Sequence, residues 1–535
     1  MNKFVPYILL CFGIIVSSQA NSQDTTTTIK NTGKLIEFLS AESYNIKKQD
    51  SQDFLNLVGH VKVRQANTLL YGDSIILNAT KNSLEGFGKV HINDADSVHT
   101  YADYLKYDGN TKKAKLRNHV KLTDGRGTLT TDSLDYDVSI KIGVYKKGGK
   151  LVRNKTVLKS TEGVYYGITR DVLFRNKVSL IDPDNSIFTD TLEYNTYSQL
   201  ANFISPSKII SGSRIIKTKN GNYNIGTKKG YLYERSSIDD SSYFFIADEM
   251  AIDDSLGLGE FRGNAVYKSK DSLSFDLLAN NIKTNRNKDI LLATELPILL
   301  IKQPKDTMYI SADTLYSGRL SDLKRKMPRA RANEGVIQDS SLNKYFEAFH
   351  HVKIYSDSMQ AVADSLFYGL ADSTIRLHNN PILWVNQNQI NGDTIYMHLN
   401  NRKAEQLRII NNAMAISPVD STDYFNQLKG NTIVVDFIDG KIQQMQTKGS
   451  AENIYFATDN DEKFIGVNQS NAQIITIQFE NDEPVKIIYI NQLNGKMTPL
   501  FDIPKSELKL RNFKWWNDLQ PKTKFDILSP KPIKN

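Results

Sequence analysis

Apolar and polar residues alternate in short runs that recur along most of the chain. Gly59-His60-Val61-Lys62-Val63 leads to Tyr71-Gly72-Asp73-Ser74-Ile75, and Gly88-Lys89-Val90-His91-Ile92 leads to Tyr101-Ala102-Asp103-Tyr104-Leu105. A third copy, Asn118-His119-Val120-Lys121-Leu122, leads to Thr130-Thr131-Asp132-Ser133-Leu134-Asp135-Tyr136. Alternation with a period of two turns one side of a strand inward and the other to water. Each run therefore predicts a strand, and each unit a pair of strands. Helical periodicity is nearly absent before the last forty residues.

The acidic position makes the period countable. Asp73 to Asp103 is 30 residues, Asp103 to Asp132 is 29 and Asp132 to Glu162 is 30. Asp190, Asn220, Asp248 and Asn280 follow at intervals of 28, 30, 28 and 32. The register loosens to 33 at Asp313 and 51 at Asp364, then returns to 29 at Asp393. Fainter copies continue through Gly430-Asn431-Thr432-Ile433 and Gly466-Val467-Asn468, so the sheet is expected to run to about Asn494. Such tandem register marks a repeat array in which each unit buries surface only against its neighbours.

A lone hairpin buries too little apolar surface to be stable. Stacked edge to edge, the units align Val61, Val90, Val120 and Val178 in one row and Val63, Ile92, Leu122 and Leu180 in a second. Leu105, Leu134 and Leu192, with Tyr107, Tyr136 and Tyr194, form rows on the facing strand. The expected fold is all-β, with two layers facing each other across a long apolar interior. Asp73, Asp103, Asp132, Asp190, Asp248, Asp313, Asp364 and Asp393 read as structural, because catalysis needs a unique acid and these recur in nearly every unit. Equivalent side chains about 5 Å apart would repel by roughly 3 kcal/mol at an effective dielectric of about 20. The acids are therefore expected at a wet corner, accepting backbone or Ser/Thr hydrogen bonds, a turn role that Glu162, Asn220 and Asn280 can share.

Composition alters this picture at the two ends and in one internal segment. The chain has 535 residues, 40% hydrophobic and 24% charged, which is ordinary for a folded protein. Lys3, the apolar run from Ile8 to Val16 and Ser18-Gln19-Ala20 have the form of a secretory signal (residues 1–20), cleaved near Ala20. That run is shorter than the roughly 20 residues of a membrane-spanning helix, so export to the periplasm is expected. Residues 21–34 read as a disordered polar leader. Cys11, the single cysteine, lies in the signal, leaving the mature chain without a disulfide or thiolate metal site. Residues 319–343, with Lys324-Arg325-Lys326-Met327-Pro328-Arg329-Ala330-Arg331, lack a strand pattern and read as a basic linker or loop. Its functional alternative is a contact for phosphate or headgroup charge. In the tail, residues 496–535, Pro504-Lys505-Ser506-Glu507 opens a short helix through Asp518, with Leu508, Phe513, Trp515 and Trp516 free to pack. A cap on the final strand or a docking segment for a partner is expected there. The net charge of +8 is too diffuse to suggest nucleic acid and biases the surface mildly towards anionic partners, such as phosphorylated glycolipids or a membrane surface.

Candidate chemistry is sparse. His60, His91, His99 and His119 stand at unequal offsets and form no ligand set, so neither a metal nor a cofactor is expected. Asn93-Asp94-Ala95-Asp96 lacks the glycine and bidentate glutamate of a calcium loop. There is no Gly-x-Ser-x-Gly elbow and no phosphate loop, so the chain does not read as an enzyme.

The unit Gly-x-Val-x-aliphatic followed by aliphatic-x-Ala-Asp-x-Leu-x-Tyr, behind a signal peptide, resembles the OstA-like periplasmic proteins of lipopolysaccharide transport, the LptA and LptD N-terminal domain type. Val90, Ile92, Ala102, Asp103, Leu105 and Tyr107 carry the likeness, as do Val178, Leu180, Asp190, Leu192 and Tyr194. Val352, Ile354, Ala363, Asp364, Leu366 and Tyr368 repeat it. It covers residues 35–318 and resumes over 344–495. The resemblance implies an elongated twisted β-jellyroll (a β-taco) of repeats of about 29 residues, open along one side, with a short helical or irregular tail. It implies a groove that shields lipid A acyl chains of lipopolysaccharide, lined here by Val61, Val63, Val90, Ile92, Leu105, Val120, Leu122, Leu134, Val178, Leu180, Leu192, Val352 and Ile354. It also implies inner- and outer-membrane transport components as partners through sheet-edge pairing, with end-to-end self-association. The chain is much longer than a single-jellyroll member and lacks the outer-membrane member's long carboxy-terminal barrel region, so a soluble bridge component is expected. The alternatives are an exported β-solenoid acting as a carbohydrate-active enzyme, and a surface or structural adhesin with a filled core. Alternation alone does not separate an open interior from a filled one.

Overall fold

The computed structural model describes residues 35–528 except 95–96, 271–274, 303–305, 327–341, 401–402, 420–422, 439, 460–462 and 482. The signal segment, the leader and most of the basic segment therefore lie outside the described residues.

Among the described residues, 40 strands join into one hydrogen-bonded sheet. Gln52–Gln65, Thr68–Asn78, Ser83–Asp94, Val98–Asp108, Lys113–Thr123 and Thr128–Asp137 follow one another as an antiparallel meander. Each of these strands bends near its middle. Pairing lapses between Val58 and Val61, Tyr71 and Ser74, Phe87 and Val90, Tyr101 and Tyr104, and Arg117 and Val120. Further along, the bend becomes a break, as between Ile142–Tyr145 and Gly149–Arg153. The halves of each strand thus belong to two facing walls joined along a spine of bends.

The residues at the spine explain the Gly/Asn that opens each unit. On alternate strands two successive residues are left-handed: Gly59 (φ 84) with His60 (φ 45), Gly88 (φ 68) with Lys89 (φ 44), and Asn118 (φ 62) with His119 (φ 49). The pair recurs at Asn176/Lys177, Gly263/Asn264, His350/His351, Asn411/Asn412, Gly449/Ser450 and Asn491/Gln492. Glycine enters this region without a Cβ clash, and asparagine at low cost. His60, which strict alternation places on an outward strand face, is therefore part of the bend.

The intervening strands carry the acids. Asp248 donates its backbone N–H to the carbonyls of Arg262 and Gly263 at 3.1 and 3.0 Å, and Asp313 and Asp393 donate to His350 and Asn411, each at 3.0 Å. Successive acids are two strands apart, about 10 Å at a strand spacing of about 4.8 Å, not the 5 Å assumed from stacked units. Their mutual repulsion is correspondingly smaller, and a left-handed pair stands between them.

Inward residues of both walls form one apolar cluster that runs from Ile36 to Ile475. Towards the C-terminus the strands lengthen: Lys403–Pro418, Phe425–Ile438, Lys441–Thr458 and Phe464–Glu480 have 16, 14, 18 and 17 residues. Longer walls stretch the repeat, so the acid position falls at Asn431 and then at Gln473, whose N–H donates to Asn491 O at 3.1 Å. Gly466 lies within a strand rather than at the spine. The last strand, Asn494–Thr498, ends a few residues beyond the expected limit.

Before the Lys344–Tyr355 strand, residues Leu320–Lys326 form a short helix where a loop was expected. In the tail, the helix expected from Pro504 to Asp518 is replaced by 3-10 turns at Lys505–Glu507 and Asn517–Leu519 and a helical turn at Phe525–Leu528. Pro504, not Ser506, stands at the start of the first turn, and no side chain caps it. The tail leaves the last strand largely exposed and doubles back along the outer face of one wall. Gln469, Gln427, Gln389 and Gln360 bind it in turn. Gln427 brackets Lys509 by donating to Leu508 O at 2.9 Å and accepting from Leu510 N at 2.8 Å. Gln389 brackets Trp515 likewise, through Lys514 O at 2.8 Å and Trp516 N at 2.7 Å. Gln469 donates to Glu507 O, and Gln520 to Gln360. The cause is apolar: Ile454, Phe456 and Val467 face outward there and form a second cluster with Ile503 and Leu508.

Candidate functional site

Val61, Val63, Val90, Ile92, Leu105, Val120, Leu122, Leu134, Val178, Leu180, Leu192, Val352 and Ile354 all lie in the interior cluster, none more than 2% exposed. Strand alternation brings them there, since the bend resets the inward phase for both halves of a strand. The interior that they line is filled with side chains. Tyr107, Tyr136, Tyr165 and Tyr194 recur every 29 residues and, with Tyr145, are fully buried in it.

The long side opposite the spine is closed by a polar seam. The turns that end one half-strand row meet turns from the other row 42–44 residues later. Gln65 donates to Gly109 O at 2.7 Å and accepts from the Tyr107 hydroxyl. Asp94 accepts from the Tyr136 hydroxyl at 3.2 Å and lies 3.7 Å from Lys141, which also donates to Ser97 Oγ at 2.6 Å. Thr196 donates to Asp124 at 2.9 Å, Arg153 to Tyr197 O at 3.4 Å, and Lys228 pairs with Asp184 at 2.7 Å. The row ends at a buried ion pair, Arg214–Asp254, 2.8 Å, which Arg286 joins at 2.7 Å. Tyr165 and Tyr194 stand beside Asp124 and Arg153, close enough to interact electrostatically but without a formed hydrogen bond.

Burial raises the pKa of the Tyr107, Tyr136 and Tyr165 phenols well above the usual range and also raises that of Tyr194, with nearby Asp94 adding to the effect for the first two. All four hydroxyls therefore keep their protons at physiological pH, and those of Tyr107 and Tyr136 donate to Gln65 and Asp94. Asp94, part of the run that loosely resembles a calcium loop, is a seam residue held by Tyr136 and Lys141.

The interior loosens towards the C-terminus. Between the long walls lies a cavity of about 140 Å³ whose lining includes Leu428, Met445, Ile477, Phe479 and Ile487. A smaller one of about 80 Å³, at the end of the seam, is lined by Phe245, Phe261, Tyr267, Arg214 and Arg286. Both fall below the roughly 300–1,000 Å³ of small-ligand sites.

All eight repeat acids lie at the spine, exposed or half-buried. Asp103, Asp248, Asp313, Asp364 and Asp393 have side-chain partners among the left-handed residues, and Asp248 also pairs with Arg235 at 2.8 Å. His119 Nδ1 lies 2.7 Å from Asp103, Asn264 donates to Asp248 at 2.8 Å, His351 lies 2.9 Å from Asp313, and Asn412 donates to Asp393 at 3.0 Å. His350 and Asn379 approach Asp364 at 3.2 and 3.1 Å. The hydrogen bond to Asp103 raises the His119 ionisation, and the bond from Arg235 lowers that of Asp248. His60 pairs with Glu42, while His91 stacks between Tyr71 and Tyr101 and contacts His99. Among the described residues no group of His, Cys, Asp and Glu is placed to hold a metal, and no helix is long and apolar enough to cross a membrane.

Two parts of this site were not foreseen. The tyrosine period was visible in the sequence, but its partners lie about one and a half repeats earlier, an offset set by how the walls meet. The glutamines that bind the tail carried no distinguishing signal.

The fold and its interior define an all-β array of bent strands with two facing walls. Residues 33–187 and 175–248 match the family described as OstA-like protein, so this N-terminal part of the chain is similar to that family. The matched stretch ends close to where the polar seam does. A solved structure is also similar: LptH, the LptA homologous periplasmic component of the conserved lipopolysaccharide transport device from Pseudomonas aeruginosa. It is 13% identical, over 30% of this chain and 80% of that one, with a TM-score of 0.14. A search of curated proteins finds no match.

Proposed function

We propose that the protein is a non-enzymatic periplasmic component of lipopolysaccharide transport that carries acyl chains between its two walls on the way to the outer membrane. The observation that carries this reading is the single apolar interior from Ile36 to Ile475, and the OstA-like match supports it. An acyl chain that replaces the wall-to-wall contact gains about 0.8 kcal/mol per buried methylene. Among the described residues Ser43–Gln49 and Asn494–Thr498 are edge strands, the surfaces through which inner- and outer-membrane components, or a second copy, would add strands.

Depleting the protein from cells tests this. Newly made lipopolysaccharide should accumulate at the inner membrane; undiminished delivery to the cell surface would refute the reading. A structural or adhesive role is the second reading, because such a role needs only the filled core described above. Display on the cell surface, accessible to added protease, would favour it.

A further inference from the structure

We propose that the polar seam is a lipid gate: the walls part along the Gln65-to-Asp254 row, hinging at the spine, and admit the acyl chains of an amphiphile sideways. This rests on the lipid-carrying reading above.

The two long sides of the array are held differently. At the spine every strand passes covalently from one wall to the other, and backbone bonds such as Asp248 to Gly263 link neighbouring bends. Among the described residues no strand crosses at the seam, and the walls meet through side-chain contacts: Gln65 on the Gly109 carbonyl and Tyr107, Asp94 on Tyr136 and Lys141, Asp124 on Thr196, and Arg214 on Asp254. Because the interior behind the seam is packed with buried side chains such as Tyr107, Tyr136 and Tyr165, acyl chains enter there only if the walls separate, and the seam is the side that can separate without breaking the sheet. Parting it frees a row of tyrosine hydroxyls, amides and charges at the mouth, where a lipid's polar head would lie while its chains replace the wall-to-wall packing.

A lock across the seam provides the test. A Cβ built on Gly127 lies 3.8 Å from the Thr196 Cβ, within the range of about 3.5–4.5 Å that a disulfide spans. With Cys11 changed to Ser, the G127C/T196C variant is compared oxidised and reduced, beside each single variant, for capture of fluorescently labelled lipopolysaccharide. A gate predicts capture at least about tenfold slower when oxidised, restored by reductant; equal capture in both states would overturn it and point to entry from an end. Y107F/Y136F, which keeps the rings and removes two latching hydroxyls, should speed capture, and unchanged capture would count against the latches. If the unmodified protein captures no lipopolysaccharide, the lipid reading fails, and the gate is judged by hydrogen exchange. Slower exchange of amides 129–136 and 187–194 on oxidation would keep it, and identical exchange would remove it.

Discussion

Deletion of residues 499–535 should leave the N-terminal repeats folded while the C-terminal strands lose stability and the protein aggregates. Without the tail, outward-facing Ile454, Phe456 and Val467, each no more than 3% exposed in the intact chain, would be bare, as would Phe425, whose ring packs on Phe513 and Trp515. Each large apolar side chain returned to water costs about 1.5–3 kcal/mol, and together they would form a contiguous apolar patch of the kind that drives association. Each repeat contacts chiefly its neighbours, so the damage should stay local. The tail reaches back as far as strands Thr307–Ser311 and Lys344–Tyr355, which its last helical turn touches, so the effect should stop near there. Limited proteolysis with mass spectrometry would show this as new cleavage beyond residue 344 and continued protection of residues 52–270. Uniform protection along the deleted chain would mean that the tail is dispensable.

The second large effect is expected at Gly163. The Tyr145 ring is wedged between Gly149 and Gly163, where an added Cβ would lie 2.4 Å from ring atoms at the first position and 2.4 Å from the hydroxyl at the second. The ring has little freedom to give way, because Ser160 holds its hydroxyl at 2.7 Å and burial, which pushes the phenol up to about 12, encloses it in the core. Overpacking of this kind typically costs about 1–3 kcal/mol, and Gly163→Ala should lie at the upper end. Tyr145→Leu in the same chain, by vacating the space, should recover most of the loss. Denaturant midpoints of the single and double variants measure this; an unchanged midpoint for Gly163→Ala would show that the ring can rotate away.

These two sites illustrate what was legible in the sequence and what was not. Period-two alternation located most strands and the whole inward set from Val61 to Ile354, because burial on one face of a strand is a local property of the chain. The acid period located the spine. What was missed depends on contacts distant in sequence. A Gly or Asn recurs at the start of each early unit, yet only the fold shows it, with the residue that follows, bending the strand and separating the acids to about 10 Å. The seam joins residues 42–44 apart, and the tail meets glutamines up to 160 residues upstream. The longer C-terminal strands, which displaced the expected copy at Gly466, are set by the width of the walls rather than by the unit.

Lipid carriage requires acyl chains to occupy the interior. A photoreactive residue placed at Leu180, fully buried between the walls, should capture lipopolysaccharide in living cells, whereas the same residue at outward-facing Lys121 should not. Capture at Lys121 with none at Leu180 would contradict it.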